Sequence, residues 1–132
     1  REAGLKAYAA DNLFLDSYTR GDGLVLAGRI LSGCKQATAV MFFNDALALG
    51  AISAFLRRGI EPGRDIAVLG FDDIAEAEMS IPALCSVATD PGGMGRRMGE
   101  MLLARIEKPG LPVACIREEP RLVIRETSGC GK

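Results

Sequence analysis

Histidine and tryptophan are missing from this chain, and aromatic residues of every kind make up only 5% of its 132 positions. Without histidine there is no imidazole to serve as a general base near neutral pH or to complete a mixed zinc shell. The four cysteines, Cys34, Cys85, Cys115 and Cys130, are spaced widely and irregularly, with no C-x-x-C pair. A zinc site is therefore not expected, and reduced thiols in a cytoplasmic setting are. Charge of neither sign dominates: 16 basic residues face 17 acidic ones, for a net charge of −1. Such a balance gives no surface built for nucleic acid. No apolar run is long enough to span a bilayer, Arg1-Glu2 does not open a signal peptide, and low-complexity tracts are absent.

What is present suits one globular domain. Hydrophobic residues account for 48% of the chain and charged residues for 25%, enough apolar surface to bury a core. The most informative stretch runs from Thr38 to Asp73 and reads strand, helix, strand. Ala39 to Phe43 is an apolar run that stops at Asn44-Asp45. Ile66 to Leu69 is a second, stopping at Gly70-Phe71-Asp72-Asp73. Between them Leu49, Ile52, Phe55 and Leu56 recur at helical spacing. Asn44 or Asp45 can cap the start of that helix, Arg57 and Arg58 suit its last turn, and Gly59-Ile60 predicts a Schellman stop. A helical crossover makes the two strands parallel. Their carboxyl ends then share one edge, which is where open α/β sheets bind small ligands.

The flanking segments extend the pattern. A helix is expected over Glu2 to Ala10, and a short strand at Leu13 to Leu15 that ends at Asp16-Ser17-Tyr18. Asp22 is expected to cap a helix through Leu24, Ala27, Ile30 and Leu31, stopped at Ser32-Gly33. Beyond Asp73 a short helical turn is expected over Ala75 to Met79 and a strand over Leu84 to Val87. An amphipathic helix follows over Gly92 to Glu107, with Met94, Met98, Met101, Leu102 and Ile106 on its apolar side. Strands are expected at Val113 to Ile116 and Leu122 to Ile124, before a frayed tail. Three strand ends would thus gather polar or aromatic groups: a ring for stacking, with carboxylates and an amide to fix hydroxyl or ring-nitrogen positions.

In order and spacing these residues resemble the effector-binding core of the LacI/GalR family of bacterial transcriptional regulators. Thr38-Ala39-Val40 and Asn44-Asp45-Ala46-Leu47-Ala48-Leu49-Gly50-Ala51 look like one family segment. Arg58-Gly59-Ile60, Pro62, Asp65 to Val68 and Gly70-Phe71-Asp72-Asp73 follow in family order. Pro82-Ala83-Leu84, the closing Leu122 to Thr127 and the opening Arg1, Gly4 and Leu5 complete a match over nearly the whole chain. It departs from the family at Leu5, where an aromatic is usual, at Ala37, where a proline is usual, and at Cys85-Ser86, where two threonines are usual.

The resemblance implies an α/β fold: a parallel-sheet β-α-β sandwich forming part of a type I periplasmic-binding-protein-like lobe. Residues 1–88 would form most of the carboxyl-terminal lobe without its first strand and helix. Residues 89–117 would cross into the amino-terminal lobe, 118–127 would return, and 128–132 would be tail. It also implies a non-enzymatic, cytoplasmic effector sensor with no cofactor and no metal. Arg1, Tyr18, Asn44, Asp72 and Thr89 would touch a small effector, most simply a sugar, with a purine-like molecule as the other option. Leu49, Ile52, Ala75, Met79, Ile81 and Pro82 would lie at a homodimer interface. DNA would be read only by a helix-turn-helix outside this chain, and no membrane is involved.

Taken singly, these residues have plainer readings. Asn44 and Asp45 serve equally as helix caps, Asp72-Asp73 could cap the turn at Ala75, and Tyr18 could simply pack. Two other functions share the pattern. A periplasmic sugar-binding protein would present similar strand ends. An α/β enzyme acting on sugars would need a nucleophile or acid–base pair, and the sequence offers none.

Overall fold

The computed structural model describes residues 17–129. The expected helix over Glu2 to Ala10, the strand at Leu13 to Leu15 and Arg1 lie outside the described residues. The elements run α1 (Arg20–Gly33), β1 (Ala39–Met41), α2 (Asp45–Leu56), β2 (Ala67–Asp72), α3 (Ala75–Met79), β3 (Cys85–Ala88), α4 (Pro91–Glu107) and β4 (Arg121–Val123), closing with a 3-10 turn at Glu126–Ser128. The four strands form one sheet in the order β1-β2-β3-β4. The first three are parallel, with Met41 beside Leu69 and Asp72 beside Ala88, while β4 returns antiparallel with Ser86 beside Val123. This is the α/β architecture expected of the sequence.

The central β-α-β unit forms for the expected local reasons. Asn44 caps α2 by accepting the Leu47 N–H at 2.9 Å. At the other end Gly59 adopts φ +73°, a left-handed conformation open to a residue without Cβ. The Ile60 N–H then bonds Phe55 O at 3.0 Å and the Gly59 N–H bonds Leu56 O at 3.0 Å. That pair is the Schellman motif the Arg-Gly-Ile sequence predicts. Arg57 and Arg58 fall just past the helix, and Arg58 reaches back to bond Ala54 O at 3.0 Å.

Two local expectations need correction. Thr19, not Asp22, is the N-cap of α1. Asp22 sits three residues on and returns its carboxylate to the Thr19 N–H at 2.8 Å and to the Thr19 hydroxyl at 2.6 Å. This reciprocal capping box starts the helix a turn earlier. The run Val113 to Ile116 forms no strand: residues 111–120 are irregular and exposed. Four apolar residues have no hydrogen-bonding partner of their own, and no sheet edge among the described residues accepts them.

Helices α1 and α2 pack together, and α2 lies on β2. Leu26, Ala27 and Ile30 of α1, Leu47, Ala48, Ile52 and Phe55 of α2, and Phe42, Val68 and Leu84 of the sheet layer make one buried cluster. Helix α4 stands apart from it. Gly93 is its only buried residue, and Met98, Leu102 and Ile106 are each more than 60% exposed.

Candidate functional site

Asn44, Asp72 and Thr89 stand at or just past the carboxyl ends of β1, β2 and β3, and Tyr18 is tied to Asn44, while Arg1 lies outside the described residues. Asn44 caps α2 three residues past the end of β1, and its Nδ2 donates to Tyr18 O at 3.2 Å. That bond ties the strand end to the segment entering α1. Asp72 ends β2 beside Ala88, and half-buried Thr89 follows Ala88. Asn44 and Asp72 each lie three residues past the Met41–Leu69 register pair, so they head adjacent strands at the same level. The cap reading of Asn44 is fully realised, since its Oδ1 and Nδ2 are both engaged.

The backbone at Asp72-Asp73 is unusual. Asp72 has φ +109° and Asp73 φ +56°, where a residue with a side chain is held at a cost on the order of 1–3 kcal/mol. Several bonds hold the turn. Asp73 N–H donates to Ser86 Oγ at 3.1 Å, and Ile74 N–H donates to Asp45 Oδ2 at 2.9 Å. The Asp73 carboxylate accepts Arg125 Nη1 at 2.7 Å. The Asp72 carboxylate takes part in none of these bonds. Burial first, and the negative charge of Asp45 second, push its carboxyl above the ordinary carboxylate range. An unbonded acceptor on a rigid turn can receive a ligand hydroxyl or N–H without first giving up a partner.

Three sets of residues at or below this edge escaped the sequence. Asp45 is wholly buried, although a polar residue at a helix start reads as an exposed cap. Phe43 is 72% exposed, and its ring lies 4.9 Å from that of Tyr18 with 33° between their planes. The alternation from buried Phe42 to the opposite face was the available signal. The closing Arg125-Glu126-Thr127 segment fastens the sheet from below. Glu126 accepts the Ala83 N–H at 2.7 Å, while Thr127 accepts the Cys85 N–H and donates to Val68 O, both at 2.8 Å. Those partners are dozens of residues distant, so no local pattern marks them.

Two hollows lie away from this edge. A groove of about 340 Å³ runs between α2 and the α3 segment, with Leu49, Ile52, Met79 and Ile81 among its lining residues. Leu49 and Ile52 are buried at its base, whereas Met79, Ile81 and Ala75 are exposed and Pro82 is half-buried. A larger, open hollow of about 700 Å³ lies at the amino ends of the strands. Its charged lining is already engaged: Arg64 with Glu61 and Asp65, Arg125 with Asp73, and Glu126 with Ala83. Volume alone would favour that hollow, but the unbonded acceptor and exposed rings are at the carboxyl edge. Among the described residues no three Asp, Glu or Cys side chains are grouped to hold a metal ion, and no helix is long and apolar enough to cross a membrane.

Comparison with known proteins agrees with this fold. The model of the periplasmic binding protein-like domain matches residues 1–128. The HTH-type transcriptional repressor PurR of Pasteurella multocida is 33% identical over 126 residues, covering 96% of this chain and 37% of that protein. A putative LacI-family transcriptional regulator from Sanguibacter keddieii superimposes with a TM-score of 0.85 at 32% identity, covering 97% of this chain and 48% of that one. The transcriptional regulator CelR in complex with cellobiose gives a TM-score of 0.87 at 27% identity, covering 96% and 38%. This chain therefore spans less than half the length of each of these proteins. It belongs to the periplasmic binding protein-like domain family, in the form found in LacI-family transcriptional regulators.

Proposed function

We propose that this chain is the effector-sensing part of a transcriptional repressor, and that a sugar or purine-like molecule binds against Tyr18, Asn44, Asp72 and Thr89. The observation that carries the reading is the Asp72 carboxylate, exposed and unbonded on a braced turn at the same sheet edge as two exposed rings. A polyhydroxylated ring offers hydroxyls to such an acceptor and an apolar face to such rings. CelR, whose complex with cellobiose has the same fold over 96% of this chain, supports the sugar option. Arg1 would add a planar guanidinium able to hold two ligand oxygens.

The arrangement suits binding better than catalysis. Among the described residues, the neighbouring carboxylates Asp45 and Asp73 are both locked in hydrogen bonds, which leaves neither free to exchange a proton with Asp72. Residues 1–88 and 118–127 would form one lobe, with 89–117 contributing to a second. The uncovered apolar side of α4 and the irregular 111–120 segment support that division. The groove beside Met79 and Ile81 supports a homodimer through α2 and the α3 segment. Effector closing the two lobes would favour one arrangement of the dimer and so alter DNA reading by a module outside this chain.

A thermal-shift screen of the intact regulator against sugars and purines tests this. A compound that binds the folded state raises the melting temperature in proportion to its saturation. At least one compound should do so, and Asp72→Asn should reduce the shift. A screen in which neither class raises the melting temperature would overturn the reading.

A further inference from the structure

Asp45 is wholly buried, and a buried carboxylate is costly unless its oxygens are bonded. Both are. Oδ1 accepts the Ser86 hydroxyl at 2.7 Å, and Oδ2 accepts the Ile74 N–H at 2.9 Å. Ser86 Oγ in turn accepts the Asp73 N–H at 3.1 Å. The two N–H groups that follow Asp72 are thus held by one carboxylate, directly or through one hydroxyl. The carboxylate is also seated against β2 itself: Asp45 Oδ1 occupies the space that a side chain at Gly70 would need.

A first-turn acid that only complemented the helix dipole would sit in water. Asp45 instead crosses from α2 to the far side of β2 and bonds residues 29 and 41 positions away. What it holds is the turn whose left-handed backbone presents Asp72. We propose that Asp45 is a positioning residue for the effector site, fixing the Asp72-Asp73 turn so that the Asp72 carboxylate stands open to the effector. The inference rests on the reading of Asp72 as an effector acceptor given above.

Asp45 has a second effect on the same residue. Its charge is the second cause, after burial, that holds the Asp72 carboxyl above its ordinary range. Among the described residues at this edge, Asp73 pairs with Arg125, and Asp90 and Glu118 with Arg97; Arg121, beside Ala88 at the start of β4, carries no ion pair and is unchanged in either substitution that follows. Removing the charge of Asp45 should therefore move the titration of Asp72, whereas removing Ser86 should not.

The test uses the intact regulator in wild-type, Asp45→Asn and Ser86→Ala forms. Carboxyl-carbon NMR follows Asp72 from pH 3 to 8. Calorimetry follows binding of glucose, ribose, cellobiose and hypoxanthine over the same range. Asp72 should titrate at lower pH in Asp45→Asn and unchanged in Ser86→Ala, because only the first loses the charge. Both variants should bind the best of the four probes about tenfold more weakly at pH 7, the factor that corresponds to one hydrogen bond made to a charged group. Unchanged affinity and unchanged Asp72 titration in Asp45→Asn would overturn the inference while leaving the effector site standing. If Asp45→Asn fails to fold, unchanged affinity in Ser86→Ala overturns it. Binding of none of the four probes by the wild type would overturn the effector reading and this inference with it.

Discussion

Arg125 Nη1 lies 2.7 Å from Asp73 Oδ1, joining residues 52 positions apart. The same nitrogen donates to Leu84 O at 2.9 Å, and both side chains are more than four-fifths buried. The end of β4 is thereby fastened to the turn that carries Asp72. In this way the closing segment of the chain, far from the β-α-β unit in sequence, becomes part of the support of the candidate site.

Arg125→Ala should destabilise the fold by about 2–4 kcal/mol, because Asp73 keeps a mostly buried charge without its partner and Leu84 O loses a donor. Arg125→Lys should recover part of the loss, since an ammonium keeps the charge and has donors for both acceptors but sits on a shorter side chain without the planar guanidinium. Urea denaturation at pH 7 measures both. An Arg125→Ala midpoint equal to the wild type would mean that the pair contributes nothing.

The pH dependence of stability has a definite sign at Asp72. Burial, and then the Asp45 charge, raise its folded carboxyl above the ordinary 3.8, so the folded state holds the proton more tightly than the unfolded one. Asp72 then favours folding fully below about pH 3.8, and that contribution is lost as pH rises through the raised folded value. Asp72→Asn, which is never charged, should be more stable than the wild type at pH 7, with the gain shrinking to nothing below pH 4. Denaturation midpoints at pH 3.5, 5 and 7 check this. A variant less stable than the wild type at pH 7 would contradict the sign.

Most of the fold was legible because its signals are local. Asn44, the apolar spacing of α2 and Gly59-Ile60 lie within a few residues of the features they specify. The site was only half legible for the same reason. That Asn44 and Asp72 would share one level follows from parallel strands ending at one edge. That Asp45 would be buried, or that Arg125 and Thr127 would fasten distant strands, depends on contacts spanning dozens of residues, which no periodicity encodes. The strand expected at Val113 to Ile116 failed in the opposite way. Its composition suited a strand, but a strand exists only against a neighbour.

Phe43 should matter to ligand binding more than to folding. Its ring is mostly in solvent and lies against Tyr18, and a ligand ring packed on it would gain about 0.5–1.5 kcal/mol from the aromatic contact. In the intact regulator, Phe43→Ala should lower effector affinity by roughly 3- to 10-fold while shifting the denaturation midpoint little. Equal affinity in calorimetry would place the ring outside the site.

Helix α4 carries an apolar side that this chain leaves uncovered, with Met98, Leu102 and Ile106 each more than 60% exposed. Covering such side chains is worth about 1.5–3 kcal/mol each when burial is complete, so the chain on its own should self-associate. Sedimentation velocity should show a dimer or larger species, and Met98→Glu with Leu102→Glu should move it towards monomer. A monodisperse monomer before substitution would contradict this.

The central claim is that the effector is held by the Asp72 carboxylate at the carboxyl edge of the sheet. Calorimetric titration of the intact regulator with the effector found by screening, wild type against Asp72→Asn at pH 7, tests it most directly. A hydrogen bond to a charged acceptor contributes about 1.5–3 kcal/mol. Asp72→Asn should therefore weaken binding by roughly 10-fold or more, with operator affinity in the absence of effector unchanged. Equal effector affinity in the two proteins would remove Asp72 from the site and with it the account of how this edge recognises a ligand.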